Sequence, residues 1–195
     1  MIQLTPTQWL VLIVVAVLVA GGVIALLRGR SKSQRHQALQ QAFGPEYDRA
    51  VSEYGDREKA ERELASRQKR VDRLRLRALS TSERNRFAAE WREAQERFVD
   101  DPSGAVRASD ELIKSVMRSV GYPMDDFEQR VADLSVDHAS VVQHYRAARV
   151  LADANREGRA NTEELRQAFI HYRALFADLL EDSAGGLANA APARV

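Results

Sequence analysis

An uninterrupted apolar segment near the start of this chain constrains its fold more than any other feature. Residues 9–27, WLVLIVVAVLVAGGVIALL, are nineteen consecutive positions without a charged or strongly polar side chain. An α-helix rises about 1.5 Å per residue, so these residues cover roughly 28 Å, close to the ~30 Å hydrocarbon core of a bilayer. The sequence that follows is highly charged. It therefore predicts one membrane anchor that holds one water-soluble body.

The predicted fold class is all-α: one N-terminal transmembrane helix, then a long charged helix and a helical bundle. The body has few Gly and Pro residues, and its apolar residues recur every three or four positions, which is typical of helices. The tail has too little apolar bulk to form a core and is predicted to be disordered. The predicted parts are a transmembrane anchor (1–27), a basic juxtamembrane linker (28–44), an all-helical soluble domain (45–181) and a disordered tail (182–195).

A cleaved signal peptide is the alternative for the apolar segment. Signal peptides combine a basic leader, an apolar stretch of about 7–15 residues and a small-x-small cleavage site. Here residues 1–8 hold no Lys or Arg, the apolar stretch is longer, and the candidate cleavage residues Ala20 and Gly22 lie inside it. The chain also has no cysteine, which excludes a lipoprotein. These features favour an uncleaved anchor, while a cleaved or inverted segment would indicate an exported or envelope-facing structural protein.

The residues that flank the segment predict its orientation. Four cations follow it, and no acidic residue precedes Glu46. Because Lys and Arg near a span stay on the cytoplasmic side, the N-terminus is predicted outside and the body in the cytoplasm, as a single-pass protein of the cell inner membrane. Each cation would also contact anionic lipid headgroups, at about 1 kcal/mol apiece. The four are Arg28, Arg30, Lys32 and Arg35.

The sequence predicts three kinds of partner. The lipid bilayer is the first, and a protein partner of unknown identity is the second. Gly21 and Ala25 also form a small-xxx-small pair that would let two copies of the span approach closely as a homodimer. Nucleic acid is disfavoured, because the body carries 25 basic against 28 acidic residues rather than a concentrated basic surface.

The body is predicted to open with one long charged helix from about Pro45 to Leu79. Its apolar stripe is interrupted by the stretch 55–70, where Leu64 is the one large apolar side chain, and Gly55 is expected to bend or interrupt it. A short coiled coil is the weaker alternative, since the heptad positions are largely polar.

Cap signals predict where the later helices begin. The last helix has the cleanest apolar stripe of the protein, and its members are Leu165, Phe169, Tyr172, Leu175, Phe176 and Leu179. The predicted starts are at Ser80-Thr81-Ser82, Asp101-Pro102, Asp125, Asp137 and Asn161-Thr162.

The segment RQKRVDRLRLR at 67–77 is the strongest candidate for a binding surface. On a helix it would be basic and amphipathic, which suits a membrane surface or an acidic partner. The alternative is a solvated face whose cations pair with acids elsewhere in the bundle. The six cations are Arg67, Lys69, Arg70, Arg73, Arg75 and Arg77.

Several motifs together resemble a group of small bacterial membrane-anchored or exported proteins. They occur in the order FGPEYDRAV (43–51), FVDDPSGAV (98–106), GYPMDDFEQR (121–130) and LSVDHASVVQHYR (134–146). The resemblance covers about residues 43–180. It implies a shared helical fold, and it carries over no activity and no catalytic residue.

The histidines and paired carboxylates do not form a recognisable reaction site. None of the four histidines has a Glu three residues before it, so the di-iron signature is absent. Asp137 beside His138 is better explained as a helix cap than as a relay. His144 and His171 are predicted at the edge of the core, with pH sensing as the alternative. Asp100-Asp101 and Asp125-Asp126 precede helices, where carboxylates complement the helix dipole, and supply too few oxygens for calcium.

No catalytic, cofactor-binding or metal-binding residue is therefore predicted, and no cofactor. The sequence favours a non-enzymatic, membrane-anchored interaction or scaffold protein that presents its bundle at the cytoplasmic face. An enzyme with an unfamiliar site is the less favoured alternative.

Overall fold

Eight helices and no strand make up the part of the chain that the computed structural model describes, which is residue 34 and residues 36–185. The chain divides into two units between Ala42 and Phe43, and the described residues of the first unit are helical. The helices are α1 (36–43), α2 (Pro45–Tyr54), α3 (Arg57–Val71), α4 (Thr81–Asp100), α5 (Pro102–Val120), α6 (Phe127–Asp137), α7 (Val142–Arg156) and α8 (Thr162–Gly185). The predicted all-α class and helical bundle are confirmed.

Not one of the helices in this described part has both the length and the apolar character to cross a bilayer. The predicted anchor, its Gly21/Ala25 pair and the lipid-facing cations Arg28, Arg30, Lys32 and Arg35 lie outside the described residues. α8 continues to Gly185, four residues beyond the predicted boundary at Glu181.

The prediction of one long helix from Pro45 to Leu79 is wrong. α2 ends at Gly55, whose φ of 62° is left-handed and stops the helix, and the side chain of Asp56 then accepts a hydrogen bond from the Lys59 amide to start α3. α2 and α3 are 10 and 15 residues long and pack against each other, so the continuous helix that a coiled coil needs is not formed in them.

Residues 72–79, predicted as the end of that helix, form an irregular connecting segment that leads to the Ser80 cap of α4. The amide of Arg77 donates to the Val120 carbonyl at 2.9 Å, so the segment runs beside the end of α5. Gly121 permits this close approach, because a Cβ there would lie 3.1 Å from the Arg75 carbonyl oxygen and its φ is 111°. Leu74 and Leu76 pack against the core.

Three of the predicted helix starts are confirmed, and in each the cap side chain accepts a hydrogen bond from a backbone amide in the first turn of its helix. Ser80 and Glu83 form a reciprocal capping box at the start of α4, and Asp101 accepts from the Gly104 amide at the start of α5. Asn161 caps α8 in the same way.

Two cap predictions are wrong. Asp126 rather than Asp125 caps α6, because its carboxylate accepts the amides of Glu128 and Gln129. Asp137 is the last residue of α6 and does not cap α7. α7 begins at Val142, four residues later than a cap at Asp137 would place it, and its first turn has no side-chain cap.

The main core lies among α4, α5, α7 and α8, with α6 packed on α7. The predicted stripe of α8 is at its centre: Phe169 is partly buried and the other five members are buried. The Trp91 ring of α4 lies 4.9 Å from Phe169 and 4.8 Å from Phe176 between centroids. The buried side chains Phe43 at the end of α1, Tyr47 of α2 and Leu64 of α3 lie outside this cluster, and α3 packs on α6.

Candidate functional site

Three of the six cations of the basic segment pair with carboxylates, and one of these pairs joins two helices. Arg67 pairs with Glu63 at 3.2 Å, and Arg70 of α3 pairs with Asp133 of α6 at 2.7 Å. Arg77 pairs with Glu83 at 2.6 Å, and this hydrogen bond, with those from Ser80, holds the pKa of Glu83 well below its ordinary value. These three cations pair with carboxylates, as the alternative interpretation of the segment expects.

The other half faces solvent. Lys69, Arg73 and Arg75 are exposed, and none of them forms an ion pair or hydrogen bond within the part of the chain that the structure describes. We call these three residues the cationic row.

The row does not lie on one continuous basic amphipathic helix as the sequence predicts, because α3 ends at Val71: Lys69 is in its last turn, and Arg73 and Arg75 lie beyond it. Beyond it, exposed Arg73 and Arg75 alternate with Leu74 and Leu76, which are half-buried against the core. Arg73 lies in the turn that closes α3, where its amide donates to the Arg70 carbonyl at 3.1 Å, and from Arg75 to Ser80 the chain is not helical. Arg73 and Arg75 are therefore presented by a segment that is fixed on its opposite side.

A second group of charges joins α2 to α7. Glu46 is 1% exposed and accepts hydrogen bonds from Gln143 and from Arg146, the latter at 3.0 Å. Arg146 also lies 3.4 Å from Glu128. Next to this pair, burial and a hydrogen bond to Glu61 raise the pKa of Tyr47 to about 12. Sequence reasoning missed Glu46, because a Glu beside Pro45 is also the expected first-turn acid of a helix.

His138 has a carboxylate partner, but it is not Asp137. Its Nδ1 lies 2.5 Å from Oδ2 of Asp178 on α8, whereas the Asp137 carboxylate lies 3.5 Å from the Tyr122 hydroxyl. His138 is buried and sits at the end of α6. The arrangement orients the imidazole and ties the α6–α7 connection to α8. No sequence signal could identify a partner 40 residues away.

His144 of α7 and His171 of α8 face each other. Their Nδ1 atoms are 2.9 Å apart and both residues are half-buried, as predicted for residues at the edge of the core. Burial and the neighbouring His144 lower the pKa of His171. One ring must donate and the other accept, so the contact requires at least one neutral imidazole.

We expect this histidine pair to make the stability of the fold depend on pH. Because the pKa of His171 is lower in the folded chain than in the unfolded one, the unfolded chain binds more protons as the pH falls below about 6.5, and stability is lost there. We expect the urea midpoint to decrease between pH 7.5 and pH 5.5, and the decrease to shrink in His171→Gln. His36→Gln is the matched control. An equal decrease in His171→Gln and the unmodified chain would refute the assignment.

A buried polar triad lies inside the bundle. The Tyr172 hydroxyl donates to Oδ1 of Asp110 at 2.8 Å, and Lys114 pairs with Oδ2 at 2.7 Å. Burial and the adjacent Asp110 carboxylate raise the pKa of Tyr172. The triad joins α5 to α8, and the Asp110 carboxylate is paired with both the Tyr172 hydroxyl and the Lys114 ammonium.

The paired carboxylates serve as caps. Asp101 caps α5 and Asp126 caps α6. Within residues 36–181, no group of three or more His, Asp or Glu side chains is arranged to hold a metal ion.

Comparison of this chain with protein families, with curated proteins and with solved structures found no match. The resemblance to small bacterial membrane-anchored or exported proteins therefore stays a prediction.

Proposed function

We propose that this chain is a single-pass membrane protein that presents a helical interaction or scaffold module at the cytoplasmic face of the inner membrane. The observation that carries the proposal is the apolar segment 9–27, followed at once by four cations and no acid. A span of that length and flank charge anchors a chain with the charged side inward.

The described body supports a role in binding rather than in chemistry. Its clustered polar groups contact one another across helices: Tyr172 with Asp110, Arg70 with Asp133, and His138 with Asp178. Groups held in this way stabilise a rigid bundle. An anchor raises the local concentration of such a bundle near membrane partners without requiring any new contact.

The test is membrane topology together with the mass of the mature chain. A reporter active only in the cytoplasm, fused after Val195, is expected to be active, and one active only outside is expected to be silent. Mass spectrometry is expected to find an uncleaved chain. A chain shortened near Gly22, or an external C-terminus, would refute the proposal and favour the exported, envelope-facing alternative.

Charge reversal checks the orientation argument directly. Replacing all four flanking cations by Glu removes the charge bias, so we expect a large part of the population to lose the cytoplasmic orientation or to fail to insert. The control reverses four exposed cations of the bundle and is expected to leave topology unchanged. The flanking set is Arg28, Arg30, Lys32 and Arg35, and the control set is Lys59, Arg92, Arg118 and Arg173.

A further inference from the structure

We propose that the cationic row, Lys69, Arg73 and Arg75, docks the bundle onto the anionic lipid surface of the membrane that anchors the chain. The inference rests on the proposed function, because it requires the anchor. The inference goes beyond the proposed function, because it specifies which face of the bundle contacts the bilayer.

The first support is that the structure separates these cations from their neighbours. Arg67, Arg70 and Arg77 are held by carboxylates at 3.2, 2.7 and 2.6 Å. The row has no such partner in the part of the chain described here, although many exposed cations elsewhere pair along their own helices, such as Arg62 with Glu58 and Arg166 with Glu163. Asp72, the one acid in the segment, is engaged in a contact of its own.

The second support is that the row is held in place. Gly121 fits against the Arg75 carbonyl, the Arg77 amide is bound to Val120, and Leu74 and Leu76 pack on the core. The backbone under the row is therefore fixed, and binding does not have to order it first. Less conformational entropy is then lost when the side chains meet a charged surface.

The third support is the balance of charge in the body. With 25 basic and 28 acidic residues, it has no excess of positive charge for tracking a nucleic acid backbone. Lipid attraction falls off within about 8 Å at physiological salt, so a few cations on one face are enough to orient a tethered body. Each cation near the surface increases the association constant roughly fivefold.

The test uses the full chain reconstituted in vesicles of neutral phosphatidylcholine, or with ~30% phosphatidylserine, a composition chosen to give the negative surface potential of a cytoplasmic leaflet. The chain has no cysteine, so Ala78→Cys places one fluorophore beside the row, and Val150→Cys places one on the exposed face of α7, where Val150 is 68% exposed. Quenchers attached to the lipid report which label lies near the bilayer. Flotation of the vesicles first establishes that the chain is anchored.

Two triple variants isolate the row from total charge. Lys69→Gln, Arg73→Gln and Arg75→Gln remove the row, while Lys59→Gln, Arg92→Gln and Arg173→Gln remove the same charge from exposed positions outside the row, on α3, α4 and α8. We expect the Ala78→Cys label to be quenched more strongly on anionic than on neutral vesicles. Removing the row is expected to weaken the anionic-lipid association roughly a hundredfold, and the control triple to leave it nearly unchanged.

Other results overturn the proposal in distinguishable ways. Equal quenching on the two lipids, or equal loss in both triple variants, would show that an anchored chain does not use the row on lipid. Protection of the label by soluble polyglutamate but not by anionic vesicles would assign the row to an acidic protein partner instead. A chain that does not float with vesicles would refute the anchoring itself, and with it the docking.

Discussion

Replacing Trp91 with alanine is expected to lower the free energy of unfolding by about 3–5 kcal/mol, the cost typical of removing a large aromatic side chain from a core. Trp91 is buried on α4 and its indole contacts two rings of α8, Phe169 and Phe176. Removing the indole deprives both rings of their contact and leaves a cavity between α4 and α8, which the surrounding structure fills only in part. The measurement is urea unfolding of the full chain in detergent, followed by far-ultraviolet circular dichroism.

Two further variants serve as controls for Trp91→Ala. Trp91→Phe keeps part of the aromatic contact and is expected to lose less. Val150→Ala removes an apolar side chain from the surface and is expected to change stability by less than about 0.5 kcal/mol. A loss below about 1 kcal/mol in Trp91→Ala would mean that the α4–α8 contact does not hold the bundle together.

Replacing Glu46 with alanine is expected to cost about 3 kcal/mol, at the lower end of the range for breaking a buried ion pair. Glu46 is almost fully buried and accepts hydrogen bonds from Gln143 and Arg146, so its removal leaves a buried guanidinium without its main partner. Glu128 stays within 3.4 Å of Arg146 and limits the loss. Hydrogen exchange is expected to show faster exchange of the α2 amides.

The control for Glu46 lies on the same helix. Glu53 is exposed and pairs with Arg49 at 3.9 Å, so Glu53→Ala is expected to cost less than about 1 kcal/mol. The double variant Glu46→Ala, Arg146→Met removes both charges and is expected to recover part of the lost stability. If the double variant were as unstable as the sum of the two single variants, the pair would not be the cause.

The sequence predicts the helices well where the deciding contacts are local. The capping box of Ser80 and Glu83 spans three residues, and so does the Asp101 cap with Gly104. The α8 stripe depends on a repeat within one helix. All the residues that form these caps and this stripe lie close together in the sequence, and the structure confirms both the caps and the stripe.

The errors occur where a local signal competes with tertiary contact. The stretch 72–79 has helix-forming residues, but the hydrogen bond from Arg77 to Val120 and the packing of Leu74 and Leu76 hold it outside a helix. At Gly55 the sequence indicated an interruption without fixing its form. Only the left-handed backbone followed by the Asp56 cap makes it a complete break.

Pairings between distant residues could not be predicted at all. Arg70 meets Asp133 across 63 positions, and Arg146 meets Glu46 across 100. Many acids were available to each arginine, and a single sequence does not rank them. The same limit applied to the cationic row, because the three cations that lack an ion-pair partner among the described residues could be identified only after the three paired ones were.

The position of α8 at the centre of the bundle has a consequence for synthesis. Its apolar stripe packs against α5 and α7, and its aromatic rings contact Trp91 of α4. Ribosomes make α4, α5 and α7 first, at roughly 5–20 residues per second, so their apolar faces wait several seconds for the helix that covers them. Contacts so distant in sequence also slow folding. Until α8 leaves the exit tunnel, the apolar faces that it covers in the folded bundle stay exposed and prone to aggregation.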